Sequence, residues 1–263
     1  MLRRAACCLL LLGSACREPA VQRDTVEHAP SRSLAHPAEV AGGLAPAGTV
    51  EPGRPEETPQ PIDKLLDGRA IARLVERAIA RRKLPGCVVA VGTSETLLYL
   101  QAFGERTAGE PMTLDTRFDL ASLTKPLATA SSVMALVEQG VVELDAPASR
   151  YLPELKVADK RAITVRELLL HTSGLPRVNG LSRYEQGRSA AIQAIAEEPL
   201  KTTPGSRFEY SDLGFILLGE LVARVSGVPL DEYARTRIFE PLGMRDTLFN
   251  PPLAEFMRSA PTE

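Results

Sequence analysis

The 263-residue sequence has no tryptophan, only three histidines and only four cysteines. Each scarcity excludes something. Histidines at positions 28, 36 and 171 cannot build a multi-histidine metal centre, and no Cys-x-x-Cys pair exists to replace one. Neither sign of charge is in excess: 31 Lys and Arg stand against 33 Asp and Glu, for a net charge of −2, and the basic residues are scattered. That balance gives no electrostatic reason to expect nucleic acid as a partner. The sequence contains no Gly-x-x-x-x-Gly-Lys, no Gly-x-Gly-x-x-Gly and no internal repeat, so no phosphate-binding loop is expected. The scarcities are also uneven along the chain. All Phe and Tyr residues lie after position 98, whereas Pro19, Pro30, Pro37, Pro46, Pro52, Pro55, Pro59 and Pro61 crowd the beginning.

Residues 1–16 combine a basic start (Arg3, Arg4), an apolar run from Ala5 to Leu12, and Gly13-Ser14-Ala15 ahead of Cys16. The run is far too short to cross a bilayer, which takes roughly 20 residues. It resembles a bacterial lipoprotein signal peptide, with Gly13 where that pattern usually has Leu; ordinary secretion is the alternative. The resemblance implies a lipidated Cys16 and an exported chain anchored to a membrane, facing the periplasm or cell surface of a bacterium. Cys87 would then be the sole thiol, and its apolar neighbours Val88, Val89 and Val91 predict a buried, inert one. Residues 17–61 lack aromatics and are rich in proline, and such a composition cannot offset its ordering entropy, which predicts a disordered tether.

The folded part is expected to span 62–263. Ile71, Leu74, Val75, Ala78 and Ile79 form a helical stripe within 67–84, stopped by Pro85-Gly86. Two apolar runs, 87–92 and 97–103, joined by Thr93-Ser94-Glu95-Thr96, predict a β-hairpin. Leu127, Ala130, Met134 and Val137 predict a second helix, closed by Gly140. Thr164-Val165-Arg166-Glu167 has the form of a capping box for a short helix ended by Gly174, and Leu213, Ile216, Leu217, Leu221 and Val225 mark a helix ended by Gly227.

Three segments carry chemistry. In Ser122-Leu123-Thr124-Lys125 the lysine lies one helical turn from the serine, within reach of a hydroxyl that needs its proton removed before it can attack. Taken alone, the tetrapeptide reads better as a helix cap followed by a solvated lysine. Tyr210-Ser211-Asp212 precedes a helix and can project a phenol into a cleft, where a tyrosine relays a proton if cations face its ionised form. His171-Thr172-Ser173-Gly174-Leu175 follows the capped helix.

Together with Phe118-Asp119-Leu120-Ala121 and Pro204-Gly205, these segments resemble the serine β-lactamase and penicillin-binding family, closest to its class C branch of β-lactamase-related esterases and D-amino-acid peptidases. The resemblance implies an α/β fold of the α+β type: an antiparallel sheet, flanking helices and a helical subdomain. It implies Ser122 as acylated nucleophile, Lys125 as its hydrogen-bonded partner and Tyr210 as base, with no metal and no organic cofactor. The substrate would be a small-molecule ester, a β-lactam or a peptidoglycan D-amino-acid peptide. His171 matches a family position read as structural, and a Ser-His-Asp triad has no Gly-x-Ser-x-Gly elbow to support it.

Two departures bear on substrate. Asp212 stands where the family usually has Asn. An ionised carboxylate only accepts hydrogen bonds, which favours esters over amides, and it tends to raise the pKa of a neighbouring Lys125. Asp212 is thus read either as a substrate-binding residue or as the cap of the following helix. The third family motif, Lys-Thr-Gly or His-x-Gly after the tyrosine, is absent. The expectation is a C-terminally truncated hydrolase with an incomplete sheet and half an oxyanion hole, a deficit typically of about 100- to 1000-fold in rate. A non-catalytic surface lipoprotein and a penicillin-binding protein with little turnover are the alternatives.

Overall fold

The computed structural model describes residues 67–261 apart from 95, 158 and 181–183. The signal-like segment, Cys16 and the proline-rich stretch lie outside the described residues.

Helix α1 (Gly68–Ala80) starts at Asp67, whose carboxylate accepts the Ala70 N–H at 3.0 Å. It packs on the hairpin through Ile79 and through Gly68, which lies against the Tyr99 ring. Ile71, Val75 and Ala78 are half-buried on the predicted stripe, but Leu74 is exposed. The helix ends before Pro85 because Arg82 takes a left-handed conformation, with φ 52°.

Strands β1 (Gly86–Gly92) and β2 (Leu97–Thr107) form the expected antiparallel hairpin, with Cys87 opposite Phe103 and Val91 opposite Tyr99. A two-residue β3 (Glu110–Pro111) completes the order β1-β2-β3. Gly104 has φ 71°, and a Cβ there would overlap the Pro85 carbonyl, so the chain crossing at the base of the hairpin requires glycine. Cys87 is half-buried rather than fully buried; burial pushes its thiol above the ordinary value, which keeps it protonated and unreactive.

The second helical stretch is built in three geometries: a 3-10 turn (Ala121–Leu123), a π-helical turn (Lys125–Ala130) and helix α2 (Ser131–Glu138). A π turn takes one extra residue, which rotates everything after it by about 100° relative to a regular α-helix. The buried face is therefore Ala128, Thr129, Ser132, Val133 and Leu136, while Leu127 and Met134 of the predicted stripe are largely exposed.

Helix α3 (Val165–Leu169) has both halves of its capping box: Thr164 Oγ1 accepts the Glu167 N–H at 3.1 Å, and Glu167 Oε2 accepts the Thr164 N–H at 2.8 Å. It stops well before Gly174, because His171 already occupies the left-handed region at φ 57°. Helix α4 (Arg188–Glu197), unannounced by any side-chain cap, buries Ala191, Ile192, Ile195 and Ala196.

Helix α5 (Asp212–Ser226) is the centre of the molecule. Leu213, Leu217, Leu218, Leu221 and Val222 are almost fully buried against Val133 and Leu136 of α2, Leu152, Leu155, Ile163, Val165 and Leu168. Each such side chain contributes about 2 kcal/mol of hydrophobic stabilisation. Gly227, at φ 79°, closes the helix as expected. Short helices α6 (Leu230–Ala234) and α7 (Leu253–Phe256) follow. The main core lies among the helices, and the sheet is only half-buried along β1.

Candidate active site

Three elements deliver the site. The 3-10 turn carries Ser122, the π turn carries Lys125, and the segment entering α5 carries Tyr210, Ser211 and Asp212. The backbone before the serine is strained: Ala121 has φ 44°, a region that costs an alanine about 1–2 kcal/mol. Asp119 holds it there by accepting the Ala121 N–H on Oδ1 at 2.8 Å.

Ser122 Oγ is contacted from two sides. The Tyr210 hydroxyl donates to it at 2.8 Å and the Lys125 ammonium donates at 3.4 Å. These residues, 88 positions apart at their extremes, are the three predicted from the sequence as the reacting group. Lys125 is almost completely buried and lies 5.0 Å from the centre of the Tyr210 ring and 5.9 Å from that of Phe215.

Asp212 turns inward. Its Oδ1 is 2.5 Å from Lys125 Nζ, a salt bridge inside the protein. Burial, the largest single influence on Lys125, pushes its pKa down, but hydrogen bonding and charge from Asp212 and Tyr210 outweigh it. The net direction is up from 10.5. Lys125 is therefore an ammonium at neutral pH. The helix cap is the neighbouring Ser211, whose Oγ accepts the Gly214 N–H at 3.2 Å and donates to the Pro176 carbonyl at 2.7 Å. Asp212 is the first residue inside the helix rather than its cap.

His171 makes no hydrogen bond to Ser122. Its Nδ1 accepts the Ser211 N–H at 3.0 Å, and its ring packs on Tyr210 and Phe215, with centroids at 4.5 and 4.9 Å. Burial and the Lys125 charge hold its pKa below 6.5, against the smaller opposing effects of Asp212 and the Ser211 contact. A serine-histidine pair is thus absent from the site.

Sequence reasoning missed Arg177. This exposed guanidinium lies 5.8 Å from the centre of the Tyr210 ring, and makes no ion pair with a described residue. Its only signal was proximity to the His171 segment. A separate groove of about 1150 Å³ runs behind the 3-10 turn, lined by Phe118, Leu127, Phe249 and Phe256; it does not include Ser122, Lys125 or Tyr210.

Helices on a small antiparallel sheet, with serine, lysine and tyrosine in mutual contact, define the β-lactamase/transpeptidase-like class of fold. The chain belongs to the beta-lactamase family, whose description matches residues 71–263. It is 37% identical over 209 residues to Esterase EstB of Burkholderia gladioli, an alignment covering 70% of this chain and 53% of that protein. A putative D-alanyl-D-alanine carboxypeptidase of Salmonella heidelberg is 32% identical over 158 residues, covering 55% of this chain and 36% of the relative. Among solved structures, a class C beta lactamase from Rhodobacter sphaeroides superposes with a TM-score of 0.63 at 28% identity, covering 73% of this chain and 54% of the other. The chain spans about half or less of the length of these relatives. At the family level they support a serine hydrolase.

Proposed function

We propose that the chain carries the acylating machinery of a β-lactamase-related serine hydrolase that acts on esters in preference to amides. The observation that carries this reading is the double contact on Ser122 Oγ, from Tyr210 at 2.8 Å and Lys125 at 3.4 Å. Lys125 is paired with Asp212 and charged, so it cannot be the base. Tyr210 takes that role. In its ionised form, whose negative charge faces two cations, Lys125 and Arg177, it accepts the Ser122 proton and becomes the neutral phenol. Ser122 Oγ forms a bond to the acyl carbon, the Ser122 N–H donates to the carbonyl oxygen, and Tyr210 returns the proton to the leaving alkoxide. Water then repeats the sequence on the acyl-enzyme. Asp212 acts here by fixing Lys125. With no amide donor at that position, the site lacks the group that would orient an acylamide substrate.

The relatives' names span esterase, D-peptide and β-lactam chemistry, and a chromogenic ester and a fluorescent penicillin separate the readings. Ester turnover by wild type, abolished in Ser122→Ala, is expected. Penicillin labelling without turnover would instead indicate a penicillin-binding protein, and silence with both reagents a binding module. We further propose that Cys16 is lipidated and the chain exported and membrane-anchored, on the strength of residues 1–16. Incorporation of a palmitate analogue that disappears in Cys16→Ser tests this.

A further inference from the structure

We propose that His171 is the positioning residue for Tyr210, through a clamp that exists only while the imidazole is neutral. Tyr210 belongs to no helix or strand; it sits in the irregular stretch between Gly205 and α5. His171 holds that stretch at three consecutive residues. The Glu209 N–H donates to the His171 carbonyl at 2.7 Å, the Tyr210 ring packs on the imidazole at 4.5 Å, and the Ser211 N–H donates to Nδ1 at 3.0 Å. His171 does this from a left-handed backbone, φ 57°, and from it both its carbonyl and its side chain reach the same segment. Phe215 also packs on the ring at 4.9 Å, and Phe208 lies 5.7 Å away in a T-shaped arrangement.

An imidazole nitrogen that accepts an N–H bond carries no proton, so the clamp requires the tautomer protonated on Nε2. Protonating Nδ1 sets one donor against another and breaks the Ser211 contact. It also adds a positive charge close to Lys125. The groups facing His171 are Lys125, which opposes its protonation, Asp212, which favours it, and the Tyr210 phenol; Glu209 is joined through its backbone. Burial and Lys125 prevail, so the clamp holds at neutral pH and opens only below 6.5. Tyr210 is then freed from its seat beside Ser122.

The catalytic consequence rests on the proposed role of Tyr210, whereas the clamp itself does not. Nitrogen-15 NMR of the histidine-labelled chain reads the clamp directly. At pH 7 His171 is expected to be unprotonated at Nδ1 and protonated at Nε2, with the Ser211 amide protected from exchange until the ring titrates. A proton on Nδ1 at pH 7, or Ser211 exchange indifferent to that titration, overturns the proposal. The second readout is the rate at which a serine-reactive phosphonate labels Ser122 as a function of pH. His171→Asn places a non-titrating acceptor near Nδ1, and is expected to label within about threefold of wild type while losing the acid limb. His171→Phe keeps the ring but not the acceptor, and is expected to slow labelling about tenfold at saturating reagent, with little change in half-saturation. An acid limb unchanged in His171→Asn, in a variant with wild-type melting temperature, also overturns it. Failure of wild type to label at any pH counts against the hydrolase reading alone, and the NMR result then decides the clamp.

Discussion

Lys125 is closer to Asp212 than to Ser122: its ammonium lies 2.5 Å from the carboxylate and 3.4 Å from Ser122 Oγ. Both members of the pair are buried, Lys125 at 3% and Asp212 at 8% exposure. Taking two charges out of water is costly, and removing one partner leaves the other uncompensated, a loss of about 3–5 kcal/mol in comparable buried pairs.

Asp212→Asn is therefore expected to destabilise the protein at pH 7 by about 3 kcal/mol, slightly softened because the amide oxygen still accepts a hydrogen bond. The pH dependence has a definite sign. Lys125 is raised in the folded state, so the pair's stabilisation is complete below 10.5 and is lost as pH rises through the higher folded value. Urea midpoints of wild type and variant should differ at pH 7 and converge at strongly alkaline pH. A gap that stays constant to pH 12 would mean the pair is not what stabilises the wild type.

Tyr210→Phe keeps the ring that packs on His171 and removes only the hydroxyl that reaches Ser122. General base catalysis typically contributes about 100- to 10,000-fold. Phosphonate labelling of Ser122 should fall within that range, while thermal stability drops by no more than about 1 kcal/mol for one lost hydrogen bond. Undiminished labelling in this variant would transfer the base role away from Tyr210.

What was legible in the sequence is what local chemistry determines. Thr164 and Glu167 cap each other across one turn, so four residues suffice to predict them. The hairpin follows from two apolar runs and a polar link. Ser122, Lys125 and Tyr210 were recognisable because their residue types and order are distinctive together. The helical stripe around Leu127 and Met134 was misplaced because a π turn changes the phase without changing composition. Asp212 was ambiguous because Ser211 and Asp212 are both good capping residues side by side. Only the approach of Lys125 from another element assigns the cap to one and the ion pair to the other.

Gly174 ties the His171 segment to the loop ahead of Tyr210. It has φ 78°, its carbonyl accepts the Lys201 N–H at 2.8 Å, and a Cβ there would overlap the Thr202 carbonyl oxygen. Because the obstacle is backbone, it cannot rotate aside. Gly174→Ala is expected to cost about 3 kcal/mol from left-handed strain and forced displacement combined. It should also slow Ser122 labelling, since the displaced 202–205 stretch leads into the Tyr210 segment. Equal melting temperatures for wild type and variant would refute the close approach.

Ala121 offers the opposite case, a strained residue with a side chain where glycine would be easier. Its φ of 44° is held by the Asp119 carboxylate accepting its N–H, immediately before the nucleophile. Ala121→Gly removes the steric penalty but makes the unfolded chain more flexible, two effects of about 1 kcal/mol each, so stability should change by less than about 1 kcal/mol. A β-branched residue is penalised further in the left-handed region, and Ala121→Val should lose about 2 kcal/mol or more. Reactivity should separate from stability. If the strained turn is what presents Ser122 Oγ to Tyr210, the glycine variant, free to relax, should label several-fold more slowly despite its unchanged urea midpoint. Asp119→Ala, which releases the same turn from the other side, should slow labelling to a similar degree. Wild-type labelling rates in both variants would show that the geometry before Ser122 is incidental to its reactivity.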